Sequence, residues 1–152
     1  MTPPNMSDAA AEIVLVEDSP DDADFFVHVF EKTGLAARLH ILTDGAEALD
    51  FVFCAGRYAG RDPSCRPNVI ILDLKLPKVN GLEVLRQLKA DPRTRSVPVV
   101  VLSSSQEERD LVASFELGAN SYIVKPMEFE EFSQTARLIA QYWIQFNQPP
   151  RT

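Results

Sequence analysis

VIILDLKLPKVNG, Val69 to Gly81, is the stretch that decides the fold. Its first four residues are apolar and β-branched-rich, and the run breaks off abruptly at Asp73. A short continuous apolar run of this kind marks a strand buried on both faces, as in a parallel sheet covered by helices on either side. Leu82, Leu85 and Leu88 then recur at helical spacing, and Asp91-Pro92 closes that segment.

The same alternation extends in both directions. Upstream, Ile13 to Val16 is a second buried run, followed by Ser19-Pro20-Asp21-Asp22, a cap and a proline suited to a first helical turn. Ala23, Phe26, Val27 and Phe30 continue that helix and Gly34 ends it. Arg38 to Thr43 reads as a strand, and Asp44-Gly45 turns into a helix carrying Ala48, Leu49, Val52 and Phe53. GRYAGRDPSCRP, Gly56 to Pro67, is a loop. Downstream, Val97 to Leu102 is a strand ending in three serines, and Leu111, Val112 and Phe115 mark a helix stopped by Gly118. Ser121 to Val124 is a short last strand, and Phe129, Phe132, Ala136, Ile139, Ala140 and Trp143 line a long last helix. Five strands alternating with five helices imply an α/β fold with a doubly wound parallel sheet and right-handed crossovers.

The chain has 152 residues, enough for one domain with its own core. The expected limits are a disordered leader over 1–11, one domain over 12–147 and a tail over 148–152. A net charge of -7 argues against binding a phosphate backbone, so no nucleic-acid partner is expected. No apolar stretch has the length of a membrane span, and no signal peptide is visible, so the expected location is cytoplasmic. Cys54 and Cys65 form no CxxC pair and read as free thiols, ahead of a lone structural disulfide between them, with Cys54 on an apolar helical stripe as a core rather than a reactive residue. His28 and His40 share no ligand spacing and read as surface or boundary residues.

The chemistry lies at the strand ends. Glu17 and Asp18 follow the first strand, Asp73 the third, Ser103 the fourth and Lys125 the fifth. Open α/β sheets bind ligands beyond the carboxyl ends of their strands, where strand order reverses. Three converging carboxylates repel one another unless they hold a cation, and an all-oxygen set suits Mg²⁺. A carboxylate nucleophile beside a hydroxyl and an ammonium fits phosphoryl transfer, in which catalysis is mostly positioning and electrostatics. Taken singly, the features have plainer readings. Glu17-Asp18 could be a solvated turn, Ser104 or Ser105 a helix cap, and Tyr122 a half-buried strand residue.

Four motifs in order resemble the response regulator receiver domain from about Ile13 to Trp143. They are LVEDS (Leu15–Ser19), ILDLKLP with Asn80-Gly81 (Ile71–Gly81), VVVLSSS (Val99–Ser105) and GANSYIVKP (Gly118–Pro126). The resemblance implies a flavodoxin-like sheet of order 2-1-3-4-5, with Asp73 as the phosphoacceptor. It implies that Glu17, Asp18, Asp73 and the Lys75 carbonyl hold Mg²⁺, that Ser103 and Tyr122 form the switch pair, and that Lys125 pairs with the phosphoryl group. It also implies a cis Lys125–Pro126 bond. The phosphoryl donor would be a sensor histidine kinase, and the responding surface the fourth helix, fifth strand and fifth helix, through which a homodimer is expected. The loop before Val69, the LKLPKVNG wording and the lack of room for an output domain resemble regulators paired with phytochrome-type photosensors. Glu17 stands where aspartate is commoner, Ser103 where threonine is, and Lys75 two residues past the phosphoacceptor could overhang the acyl phosphate. A phosphorylation-independent module and an aspartyl-phosphate phosphatase are the competing readings. Lys75 weighs against the phosphatase, which wants a second acid at that position.

Overall fold

The computed structural model describes residues 11–149. The expected leader and the end of the tail therefore lie outside the described residues, apart from Ala11, which opens the first strand. The strands are β1 (Ala11–Val16), β2 (Ala37–Leu42), β3 (Val69–Leu72), β4 (Val99–Ser103) and β5 (Ser121–Val124). The helices are α1 (Pro20–Thr33), α2 (Gly45–Val52), α3 (Gly81–Ala90), α4 (Glu108–Glu116) and α5 (Phe129–Gln141), which runs into a π-helical turn, Tyr142–Phe146. The strands form one sheet in the order β2-β1-β3-β4-β5, with every pairing parallel. This is the flavodoxin-like order, and strand order reverses between β1 and β3.

Side chains alternate across a strand, so each central strand supplies two cores. Val14, Val16, Ile70, Leu72, Val99 and Val101 pack with Phe51 of α2 and Val84, Leu85 and Leu88 of α3. Ile13, Leu15, Val69, Ile71, Val100 and Leu102 pack on the opposite face with Phe26 and Phe30 of α1 and Phe132, Ala136 and Ile139 of α5. β1, β3 and β4 are thus covered on both sides, and their unbroken apolar runs follow from that.

The helix ends obey local chemistry. Ser19 caps α1 by accepting from Asp22 N, Pro20 occupies its first turn, and Gly34 closes it at φ 70, a left-handed angle that suits glycine. Asp44 and Asn80 cap α2 and α3 in the same way. α4 departs from expectation. Its cap position is Glu107, which makes no side-chain bond, and Ser105 instead accepts from Glu107 N and donates to Asp110. Its buried residue is Ser114, while Val112 and Phe115 are 43% and 49% exposed. Phe129 also differs: it is exposed at the start of α5, stacked on Phe25 with ring centroids 4.1 Å apart. Cys54 is not on α2 but beyond its end, half-buried, at φ 56.

At the opposite edge of the sheet, buried Glu12 meets Arg38 at 3.1 Å, His40 at 3.4 Å and Arg61 at 3.7 Å. Burial alone would raise the Glu12 pKa, but His40 and the two arginines beside it hold it below its usual range. Arg61 lies over the Phe51 ring, 3.7 Å from its centroid, and fastens the Gly56–Pro67 loop to this edge. His40 is the boundary residue expected, and Glu12 is its partner.

Candidate functional site

The site forms where the chain leaves β1, β3, β4 and β5. Glu17 and Asp73 are continuations of strands: Glu17 N donates to Leu42 O and Asp73 N donates to Val16 O. The backbone therefore fixes where both carboxyl groups emerge. Glu17 and Asp73 are nearly buried, at 3% and 8% exposure, whereas Asp18 is exposed. Carboxylate oxygens of Glu17, Asp18 and Asp73 all lie within 4.8 Å of one another. The sequence expectation that these three meet is met.

Lys125 reaches the same place from β5. Its Nζ donates to Glu17 Oε1 at 2.8 Å and to Asp22 Oδ2 at 3.0 Å, and it lies 3.6 Å from Asp73 Oδ2. Burial would lower the Lys125 pKa, but the bonds to Glu17 and Asp22 and the charge of Asp73 push it well above its usual value. The ammonium is held charged. Glu17 moves the other way from a paired acid. Burial raises its pKa, Lys125 lowers it, Asp73 raises it again, and the net shift is upward. Its second oxygen accepts from Ser19 N at 3.1 Å.

Asp22 is the site residue that the sequence reading did not single out. It was read as part of an acidic first turn of α1, which it also is. The available signal was its spacing from Asp18, four residues and so about one helical turn.

Ser103 ends β4 fully buried, its hydroxyl accepting from Ser105 N at 3.2 Å, and Lys125 N donates to Ser103 O at 2.7 Å. β4 and β5 thus deliver their polar residues side by side. Tyr122 is half-buried and its hydroxyl donates to Ser105 O at 3.0 Å, so the aromatic ring is tied to the loop after Ser103. Lys75 is exposed, and its backbone N–H points to Asp73 Oδ1 at 3.4 Å. The start of α3 presses on the same segment: a Cβ on Gly81 would lie 2.3 Å from Asp73 O and 2.5 Å from Leu74 Cα. The implied cis Lys125–Pro126 bond is not found. Among the described residues no peptide bond is cis, and trans is the default even before proline.

The donor set fits a hard divalent cation. Three carboxylates converge with oxygen donors only, and Mg²⁺ and Mn²⁺ both take such ligands. Glu17, Asp18 and Asp73 would hold the ion, with the Lys125 ammonium against Glu17 and Asp73. Among the described residues this is the one cluster of three or more potential metal ligands. A half-open groove of about 550 Å³, lined by Asp22, Phe25, Lys125, Met127 and Phe129, runs from the site between α1 and α5. No helix among the described residues is long and apolar enough to cross a membrane.

Comparison with known proteins agrees with this geometry. Response regulator Rcp1 of Synechocystis is 38% identical over 133 residues, 88% of each chain. Its Mn(2+)-bound crystal structure has a TM-score of 0.86 to this chain, covering 92% of this chain and 99% of that one at 36% identity. The phosphorylated cyanobacterial phytochrome response regulator RcpA has a TM-score of 0.87 at 34% identity, covering 93% and 99%. A probable methanogenesis regulatory protein, FilR2 of Methanothrix harundinacea, is 39% identical over 138 residues, 91% of this chain and 86% of its own. Residues 13–137 match the response regulator receiver domain. With the sheet order and the acidic cluster already in place, that match settles the family: the chain belongs to the response regulator receivers, the phosphoacceptor switches of two-component signalling.

Proposed function

We propose that Asp73 is the phosphoacceptor and that Mg²⁺ is the ion held by Glu17, Asp18, Asp73 and the Lys75 carbonyl. The observation that carries the reading is the meeting of Glu17, Asp18 and Asp73 oxygens within 4.8 Å, beside an ammonium 3.6 Å from Asp73. When bound, the ion supplies positive charge for the phosphoryl oxygens. An Asp73 oxygen attacks the phosphorus of a phosphohistidine in line, a P–O bond forms, and the P–N bond breaks as the imidazole takes up a proton. Lys125 and the Ser103 hydroxyl bind the phosphoryl oxygens. Water later attacks the phosphorus, releasing phosphate and restoring the carboxylate, so the domain catalyses its own dephosphorylation and little else.

Ser103 and Tyr122 act as the switch pair. Drawing the Ser103 hydroxyl toward the phosphoryl group moves Ser105, whose carbonyl accepts from the Tyr122 hydroxyl. The responding surface is α4-β5-α5, and its occupant is a second copy of the chain. Supporting this are exposed Val112, Phe115 and Val124 on that face. The donor is a sensor histidine kinase of phytochrome type in the cytoplasm, a reading supported by the likeness to RcpA. The working unit is the domain over 12–147.

Incubation with acetyl phosphate, with and without Mg²⁺, followed by Phos-tag electrophoresis, tests the central claim. A Mg²⁺-dependent adduct absent from Asp73→Asn is expected. An adduct that persists in that variant rules Asp73 out, and no adduct at all favours the phosphorylation-independent module. Light scattering of the phosphorylated and unphosphorylated chain, beside Phe115→Glu, tests the dimer.

A further inference from the structure

Both cysteines converge on one feature remote from the acidic cluster. Cys54 follows α2 at φ 56 and is half-buried, while Cys65 is exposed in the loop that leads to β3. The two line a single pocket of about 390 Å³ together with Asp62, Arg66 and Arg93. One guanidinium ties their backbones together. Phe51 O accepts from Cys54 N at 3.3 Å and from Arg61 Nε at 3.1 Å, and Arg61 Nη2 donates to Cys65 O at 3.2 Å.

The surroundings are those of reactive thiols rather than core ones. Arg93 lies over the ring of Phe53, the neighbour of Cys54, 5.2 Å from its centroid, and pairs with Asp91. Cys65 is exposed, with Arg66 next to it in the lining of the same pocket. Partly exposed cysteines in electropositive settings are the ones that oxidise.

We propose that Cys54 and Cys65 are a reversible dithiol–disulfide pair responsive to peroxides, with Cys54 attacking and Cys65 resolving. The Cys54 thiolate attacks one oxygen of hydrogen peroxide, the O–O bond breaks, and the second oxygen leaves as water after taking up a proton. The sulfenic acid so formed is attacked by the Cys65 sulfur. An S–S bond forms, the S–O bond breaks, and hydroxide leaves with the Cys65 proton as a second water. Two thiols are oxidised and one peroxide is reduced. A disulfide needs its Cα atoms about 5.5–6 Å apart. The segment between the cysteines contains Gly56 and Gly60 and is mostly exposed, and closure moves the stretch beyond Arg61, whose bonds to Phe51 and Glu12 hold the rest in place. The bond would staple the end of α2 to the approach to β3, the strand that ends at Asp73.

The folded chain is treated with one equivalent of hydrogen peroxide, blocked with N-ethylmaleimide, and measured by intact and peptide mass spectrometry. The expected product is a monomer two hydrogens lighter, unalkylated, with a Cys54–Cys65 linked peptide that dithiothreitol reverses. Trypsin cleavage after Arg57 and Arg61 should slow in the oxidised form. Cys54→Ser and Cys65→Ser, both at positions outside the core, should each abolish the linked product while keeping the wild-type circular dichroism. Two alkylated thiols after peroxide, separate addition of oxygen to each sulfur, or a disulfide joining two chains would each overturn the proposal.

Discussion

Replacing Asp73 with Asn should reverse its sign of effect on stability according to whether Mg²⁺ is present. At an effective dielectric of about 20, two carboxylates at 4.8 Å, the outer limit for these three, repel by about 3.5 kcal/mol. Asp73 has two such neighbours, Glu17 and Asp18, while Lys125 at 3.6 Å attracts it by about 4.6 kcal/mol. The balance is a net repulsion of about 2.4 kcal/mol, and solvent around exposed Asp18 reduces it to about 1–2 kcal/mol. With EDTA, Asp73→Asn should therefore be the more stable protein by that amount, a rise of roughly 2–8 °C in melting midpoint. Saturating Mg²⁺ at about 100 times its Kd stabilises a chain that binds it by about 2.7 kcal/mol. The variant loses one of the three carboxylates and most of that gain, so the order inverts. Urea unfolding in EDTA and in Mg²⁺ measures both differences. A variant less stable than wild type in EDTA, or an equal Mg²⁺ gain in the two proteins, would refute the claim that these charges share one site.

Three further outcomes follow from named contacts. Gly81→Ala drives a methyl group into the Asp73 carbonyl and should cost about 1–3 kcal/mol, read by urea unfolding. It should also lower the phosphorylation rate in acetyl phosphate. Glu12→Gln removes the counter-charge of Arg38 and Arg61 and should cost about 2 kcal/mol near neutral pH. The folded Glu12 pKa lies below the ordinary 4.5, so its contribution is complete above that value and disappears as pH falls through the lower folded pKa. The gap between wild type and Glu12→Gln in thermal melts should accordingly narrow below about pH 4.5. Lys75→Asn should change the half-life of the Asp73 phosphoryl group, followed by loss of the phosphorylated band with time. An unchanged half-life would remove Lys75 from the account.

What could be read from the sequence depended on whether one physical term dominated. β3 was legible to the residue because all four of its side chains are buried and apolar, leaving no competing period. The end of β1 was legible for the same reason: a buried run that breaks at a charge places that charge at the sheet's edge. α4 was legible as a helix, but its buried face was not: Val112 and Phe115 are exposed, Leu111 is half-buried and Ser114 is the buried residue. Phe129 is exposed because its stacking on Phe25 takes place at the surface.

Asp22 shows the deeper limit. An acid in the first turn of a helix is explained already by the helix dipole, so sequence gives no reason to look for a second role. Its role becomes visible only when Lys125, more than a hundred positions later, extends its ammonium between Asp22 and Glu17. Strand order is what makes that meeting possible. β5 is two strands from β3 and three from β1, and β1 and β3 end level with Val101, two residues before β4 and β5 end together at Ser103 and Val124, so the long Lys125 side chain spans the gap. A long cationic side chain at that position couples Glu17, the first helical turn and Asp73 through one nitrogen atom. Any group that draws Lys125 closer to Asp73 competes with its bonds to Glu17 and Asp22, so the charge at Asp73 and the first turn of α1 are not independent.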